Sequence, residues 1–135
     1  MVYKRIAVVF VVLFFAVLLF WFLGRESYFP DMPVQNFSIE GKNLRVFVAT
    51  SSIQRQQGLM FVKHVPRHID GMLFVFPDAA VQSFWNKNTF LDLDMLWIRD
   101  TAVVKKTFLP AVQKNGLVIQ SSDVSVNRVL ELFQR

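Results

Sequence analysis

The chain has 135 residues, of which 53% are hydrophobic and 15 are Phe, and this composition excludes a chain that is disordered throughout. It contains no Cys, which excludes disulfide bonds, thiolate nucleophiles and thiolate metal ligands. The formal net charge is +5, but no basic run after the N-terminal segment exceeds two residues. We therefore predict no nucleic-acid partner, because such a partner needs a clustered basic patch or stripe.

Residues 6–23 form an unbroken apolar segment that follows Lys4 and Arg5. As an α-helix this segment would span roughly 27 Å, which is close to the thickness of a bilayer core. A cleaved signal peptide is the competing interpretation, but the segment is longer than a usual signal core and no small-residue cleavage site follows it. The sequence predicts an uncleaved transmembrane anchor in the cytoplasmic membrane. The positive-inside rule then places the N-terminus in the cytoplasm and the rest of the chain outside.

The pattern divides the chain into three parts. Residues 1–24 are a cytoplasmic stub and membrane anchor, and residues 25–35, which contain Pro30 and Pro33, are an extended tether. Residues 36–135 form one domain of roughly 100 residues, a size that can bury enough surface to fold by itself.

The domain begins with signals for a hairpin and a short helix. Residues 37–40 and 44–49 are strand-like and flank a turn that contains Gly and Asn, as a β-hairpin requires. Ser51 and Gln54 match a capping box, and a Gly follows soon after. A short helix over residues 52–57 is therefore predicted.

The rest of the domain is predicted as short strands. An apolar run predicts a buried strand at residues 71–76, which is followed by a turn of helix at residues 78–82 and an extended segment. Turn-like residues separate the remaining predicted strands, which are residues 93–99, 102–109, 117–120 and 128–133. The spacing indicates a small antiparallel β sandwich or barrel with one or two short helices.

A polar and aromatic insert lies between the apolar runs of residues 71–98. It holds two Asn amides, a Lys, a Thr and an indole, and it lacks a nucleophile or an obvious proton carrier, which favours binding over catalysis. The candidate ligand-binding residues are Trp85, Asn86, Lys87, Asn88, Thr89, Asp94 and Arg55.

Each of these candidates also has a structural interpretation. Trp85 could belong to the core, and an Asn in the insert could bond to its own loop backbone. Lys87 either extends to water, pairs with Asp92 or Asp94, or binds an anion. Arg55 could simply belong to a solvated helix face.

No metal or cofactor site is predicted. His64 and His68 have the spacing of a helical zinc pair, but Pro66 between them would disrupt the helix that must align them. The sequence also lacks a glycine-rich phosphate loop, a nucleophile-elbow serine and a zinc-peptidase helix.

Several sequence blocks in order resemble one family. These blocks are Arg55 through Gly58-Leu59-Met60, then Gly71 through Phe76, then Phe84-Trp85 with Lys87-Asn88-Thr89, then Leu93-Asp94-Met95. Together they resemble the domain of unknown function 192 family, DUF192, over about residues 37–132. The resemblance implies a small, mainly β domain, often secreted or anchored in prokaryotic envelopes, with no assigned activity.

The chain departs from that family pattern in three places. It has Asn86 where the family usually has Met, and Val62 where the family usually has a basic residue. It also stops at Arg135, whereas the family domain typically continues beyond the strand at residues 129–132.

Three functions remain open. The first is a membrane-anchored extracytoplasmic binding or interaction module. The second is a cell-envelope hydrolase or transferase that uses Asp92 or Asp94 with Lys87. The third is a structural envelope subunit. Because residues 128–133 are apolar and close to the chain end, an exposed strand edge is expected there, which predicts a protein partner or a second copy.

Overall fold

The computed structural model describes residues 31–135. The predicted membrane anchor and most of the predicted tether, residues 1–30, lie outside the described residues. Within residues 31–135, no helix is both long enough and apolar enough to cross a membrane.

Six strands and two short helices make up the described part of the chain. In chain order they are β1 (Val34–Ile39), β2 (Lys42–Ala49), α1 (Ser52–Gln57), β3 (Gly71–Trp85), β4 (Leu93–Arg99), β5 (Ala102–Leu109), α2 (Val112–Asn115) and β6 (Ile119–Phe133). The predicted mainly β class is confirmed, as are the hairpin, the helix after residue 51 and the strands now numbered β4 and β5.

All six strands belong to one sheet in the order β1-β2-β3-β6-β4-β5. The β2–β3 pair is parallel and the other pairs are antiparallel, so the sheet is mixed rather than wholly antiparallel. Lys106 on β5 bonds to Glu40 in the β1–β2 turn at 2.7 Å, and this contact joins the two ends of the sheet. The predicted sandwich or barrel is therefore a single curled sheet, a half-barrel.

Two predicted breaks in the chain are wrong. The helical turn predicted at residues 78–82 is part of the continuous strand β3, and the turn predicted at residues 121–125 is part of β6. The β3–β6 register shifts between Val75 and Ala80, a stretch that contains Pro77. Proline has no N–H to donate to the ladder, which accounts for an irregular pairing at this point. The local sequence has the composition of a turn, but pairing with β6 keeps the chain extended.

Alternate side chains of the sheet form two apolar clusters. One face carries Met72 and Phe74 and forms the larger cluster, which includes Trp97 and Val129. The other face carries Leu73 and forms the smaller cluster with neighbours on β2, β4 and β6. Since apolar residues cover both faces, the central strands have continuous apolar runs instead of a two-residue alternation.

The predicted exposed edge at residues 128–133 is also wrong. In this region β6 pairs with β3 on one side and with β4 on the other, so it is an inner strand of the sheet. The edge strands are β1 and β5. Association with a partner protein or a second copy stays a prediction.

Gly71 lies where the β3 backbone passes close to the β6 backbone. A Cβ atom at this position would lie 1.9 Å from the backbone oxygen of Glu131 and 3.1 Å from the Cα of Leu132. Both contacts are with backbone, which cannot rotate away as a flexible side chain could. The start of β3 therefore requires a residue without a side chain.

We expect Gly71→Ala to lower the free energy of unfolding by about 3 kcal/mol, the upper part of the usual range for overpacking. Gly41→Ala is the control, because a Cβ there meets nothing within 4 Å and only its φ of +75° opposes the substitution. That control should cost about 1 kcal/mol. Urea unfolding of the full-length chain in detergent measures both values, and equal losses would contradict the close backbone approach.

Candidate functional site

A pocket of about 630 Å³ lies between α1 and the C-terminal part of β3. Ordinary small-molecule sites have volumes of about 300–1,000 Å³. The residues that line it include two cations, three aromatic rings and no carboxylate. They are Ser52, Arg55, Gln56, Met60, Phe76, Gln82, Ser83, Phe84, Trp85, Lys87 and Asn88.

The capping box fixes the helix that provides Arg55. The Ser51 hydroxyl accepts a hydrogen bond from the Gln54 backbone N–H at 3.2 Å, and the Gln54 side chain accepts one from the Ser51 N–H at 3.0 Å. This reciprocal pair satisfies two N–H groups at the helix start. A six-residue helix is thereby held at one wall of the pocket.

Arg55 is held by the backbone and by an aromatic ring. Its Nη1 donates to the carbonyl oxygens of Thr50 and, at 3.0 Å, of Val75. The guanidinium carbon lies 5.2 Å from the centre of the Phe76 ring, within the range of a cation–π contact. A guanidinium has five N–H groups, so Nε and Nη2 keep three that bond to no described residue.

Lys87 and Trp85 form a second cation–aromatic pair in the pocket lining. The Lys87 Nζ lies 5.1 Å from the centre of the Trp85 ring. Trp85 is 51% exposed, so it is not a core residue. Neither Asp92 nor Asp94 pairs with Lys87, since they bond to Lys114 and Gln134.

Phe84 connects this wall to the core. Its ring makes edge-to-face contacts with Phe74, Phe76 and Trp97, with ring centres 4.7, 6.4 and 5.7 Å apart. Such pairs add about 0.5–1.5 kcal/mol each beyond the area they bury. These contacts anchor the end of β3, next to Trp85, on the larger apolar cluster.

Asn86 is part of the scaffold and does not line the pocket. Its side chain is fully buried, and its Nδ2 donates to the carbonyl oxygens of Pro110 and Gly116 at 2.9 and 2.8 Å. Its Oδ1 accepts from the Val118 N–H at 2.8 Å. The amide therefore ties the insert to the segment that connects β5 to β6.

Asn88 and Thr89 turn the chain after β3. Asn88 has a φ of +52°, and its carbonyl accepts from the Phe61 N–H at 2.8 Å. The Thr89 hydroxyl donates to the Lys87 carbonyl at 3.3 Å, and Thr89 is only 5% exposed. Asn88 lines the large pocket, and Thr89 lines a smaller cavity beside it.

The two aspartates considered for catalysis lie away from this pocket. The Asp92 carboxylate accepts from the Ala111 N–H at 2.9 Å and pairs with Lys114, and these partners lower the pKa of Asp92 below its ordinary value. Asp94 accepts from Gln134 at 2.9 Å and lines a separate groove, whose walls come from β4, β5 and the β1–β2 hairpin. The structure does not bring either carboxylate together with Lys87.

Glu131 is a site residue that sequence reasoning missed. It is 4% exposed and lines the small cavity of about 40 Å³ beside the main pocket. Burial raises the pKa of the Glu131 carboxyl to about 8. The signal in the sequence was its place between Val129 and Phe133, since all three alternate onto the same buried face of a strand.

The DUF192 family model, whose description is uncharacterized, matches residues 35–135. The chain belongs to the DUF192 family. A Sinorhizobium meliloti 1021 protein proposed to be a transcription regulator has a crystal structure similar to this chain, with a TM-score of 0.63 and 31% identity. That match covers 78% of this chain and 84% of the other.

A protein of unknown function from Novosphingobium aromaticivorans DSM 12444 also has a crystal structure with a similar fold. Its TM-score is 0.57 at 20% identity, and the match covers 76% of this chain and 82% of that one. At this identity the likeness shows the fold alone. None of the curated proteins matches the chain.

We expect Asn86→Ala to lower the free energy of unfolding by about 3 kcal/mol or more, because it leaves three backbone groups without their partner at about 1–3 kcal/mol each. Asn115→Ala is the matched control, since Asn115 is exposed at the end of α2. The control should stay within about 0.5 kcal/mol of the native chain. Similar urea midpoints for the two variants would contradict the scaffold role of Asn86.

Proposed function

We propose that this DUF192 protein is a membrane-anchored, extracytoplasmic binding module that takes a small anionic ligand with a flat apolar part. The observation that carries the proposal is the pocket in which Arg55 and Lys87 each lie against an aromatic ring while no carboxylate lines the walls. The anionic charge would lie between the two cations, and the apolar part would contact the rings.

The electrostatics of the pocket support an anion. Four of the other described cations are already engaged, since Lys105, Lys106, Lys114 and Arg135 pair with carboxylates on other parts of the surface. The two pocket cations instead bond to carbonyls or lie over rings. Their positive charge is therefore available for an anion that enters the pocket.

The pocket walls support an apolar group beside the anion. Phe76, Phe84 and Trp85 provide ring surfaces, and Met60 adds a polarizable side chain that adapts to irregular shapes. Half of the Trp85 surface is open to solvent, although exposing an indole costs free energy. A ligand that covers this ring would gain the free energy of burying it.

A hydrolase or transferase that uses Asp92 or Asp94 with Lys87 has less support. Both aspartates have their own partners outside the pocket, so they lack the geometry of a catalytic pair with Lys87. A regulator of transcription, as proposed for the S. meliloti protein, has less support as well. In this chain four lysines and arginines pair with acids at separate places instead of forming one basic stripe.

The location of the domain follows from the N-terminal sequence. Lys4 and Arg5 precede the apolar segment and favour a cytoplasmic N-terminus. A reporter fused after Arg135 should therefore be active if it is alkaline phosphatase, which folds outside the cytoplasm, and inactive if it is a fluorescent protein that folds only inside. Activity of the cytoplasmic reporter alone would overturn the proposed location.

Lys87→Met tests the binding site, because Met keeps an apolar stem and removes the charge. Benzoate and phenyl phosphate are the anionic probes, and benzamide is the neutral one. In calorimetric titrations of the full-length chain in detergent, we expect the Kd of the anionic probe that binds to rise by about tenfold in the variant, since a hydrogen bond to a charged group contributes about 1.5–3 kcal/mol.

Lys42→Met is the control, because it removes the same charge from an exposed lysine outside this pocket. It should leave the Kd of both anions within about twofold, since charges separated by more than a Debye length are largely screened. The binding proposal fails if neither anion binds the native chain, or if the two lysine variants weaken binding equally.

A further inference from the structure

Glu131 is a buried acid that the pocket described above does not yet explain. The β6 backbone around it is paired on both sides, with Met72 opposite it on β3 and Met95 opposite it on β4. Glu131 is only 4% exposed, and it lines the cavity of about 40 Å³. Burying a polar group without a hydrogen-bond partner costs free energy. No described side chain has a fully enclosed polar atom that lacks one, so a Glu131 oxygen without a described partner must reach the cavity.

The described residues give the Glu131 carboxyl no such partner. The raised pKa has burial as its only cause, without a hydrogen bond or a nearby opposite charge to offset it. A carboxyl group that is neutral at pH 7 carries one O–H donor and keeps acceptor capacity. The protonated Glu131 carboxyl is therefore a hydrogen-bond donor in the small cavity, where the low dielectric strengthens a hydrogen bond.

The small cavity lies directly beside the main pocket and shares part of its lining. Five residues line both spaces, namely Arg55, Gln56, Met60, Phe84 and Trp85. Among the described residues that line the small cavity, Arg55 on α1 and Glu131 itself are the titratable or charged ones. Strands β3 and β4 face Glu131 with uncharged side chains, Met72, Phe74 and Met95.

We propose that the ligand of the main pocket is a carboxylate, and that protonated Glu131 binds it by donating a hydrogen bond to one of its oxygens. This inference rests on the proposed function, and it names both the ligand class and a specificity-determining residue. The free N–H groups of Arg55 would hold the second oxygen. An O–H···O⁻ bond of this kind is short and about twice as strong as a neutral one.

The size of the small cavity favours a carboxylate over a phosphate. A group the size of a water molecule needs about 10–15 Å³ of cavity, so the cavity of about 40 Å³ has room for only a few atoms of that size. One carboxylate oxygen meets this limit, while the three terminal oxygens of a phosphate ester project in three directions. Benzoate should therefore bind more tightly than phenyl phosphate.

The pH dependence follows from the protonation of Glu131. A carboxyl with a pKa of about 8 is about 90% protonated at pH 7 and about 10% protonated at pH 9. If only the protonated form donates, the Kd for benzoate should rise by about tenfold between these pH values. Above pH 8 the ionised Glu131 would also repel the carboxylate.

Glu131→Gln is the decisive variant, because an amide has nearly the same shape and donates at every pH. Calorimetric titrations with benzoate, on the full-length chain in detergent at pH 7, 8 and 9, should show a Kd that stays within about twofold in this variant. Lys87 and Arg55 are present in both proteins, so their contribution cancels in the comparison. Glu131→Leu removes the donor and should bind at pH 7 about as weakly as the native chain does at pH 9.

The outcomes separate the two proposals. If the native chain binds neither anion, the proposed function fails together with this inference. A second set of outcomes contradicts only this inference. In that set an anion binds and Lys87→Met weakens its binding, but either Glu131→Gln keeps the native pH dependence or phenyl phosphate binds more tightly than benzoate. Circular dichroism melts of each variant show whether it folds. If Glu131→Gln does not fold, the inference rests on Glu131→Leu and on the preference for benzoate, and it is overturned if either is absent.

Discussion

The pairing of β3 with β6 holds the core and the candidate site in one register. Gly71 lets the two backbones approach so closely that a single Cβ would meet the Glu131 carbonyl at 1.9 Å. From that point the ladder continues past an irregular stretch to the pairing of Trp85 with Ile119. One long pair of strands therefore places a buried acid near its start and an exposed indole at its end, and both line the small cavity beside the main pocket.

The two cations of the candidate site already have contacts within the protein. Carbonyl oxygens and the Phe76 ring hold Arg55, and the Trp85 ring holds Lys87. Each would otherwise lose side-chain rotamer freedom on binding, at about 0.5–1.5 kcal/mol for each immobilised side chain. The capping box of α1 and the buried amide of Asn86 also order the backbone next to these cations. Much of the entropy cost of ordering the site is therefore incurred when the chain folds.

Glu131 departs from the apolar pattern of the strand face on which it lies. Its neighbours at two-residue spacing, Val129 and Phe133, pack in the larger apolar cluster, and a third apolar side chain would pack there without a desolvation cost. A carboxyl at this position weakens the fold as the pH rises through the region between its ordinary pKa and about 8. Such a departure is typical of positions that serve a site instead of stability.

The sequence by itself determined the features that depend on neighbouring residues. These were the hairpin, the capped helix at residues 52–57, the strands β4 and β5, and the candidates Arg55, Trp85 and Lys87, which all line one pocket. Tertiary structure decided the rest. Only the pairing of β3 with β6 keeps both strands continuous across turn-like residues, and only the sheet order makes the last strand an inner one. Hydrogen bonds across 24 and 32 residues made Asn86 part of the scaffold, and burial between two strands made Glu131 a neutral acid, because both depend on groups distant in the chain.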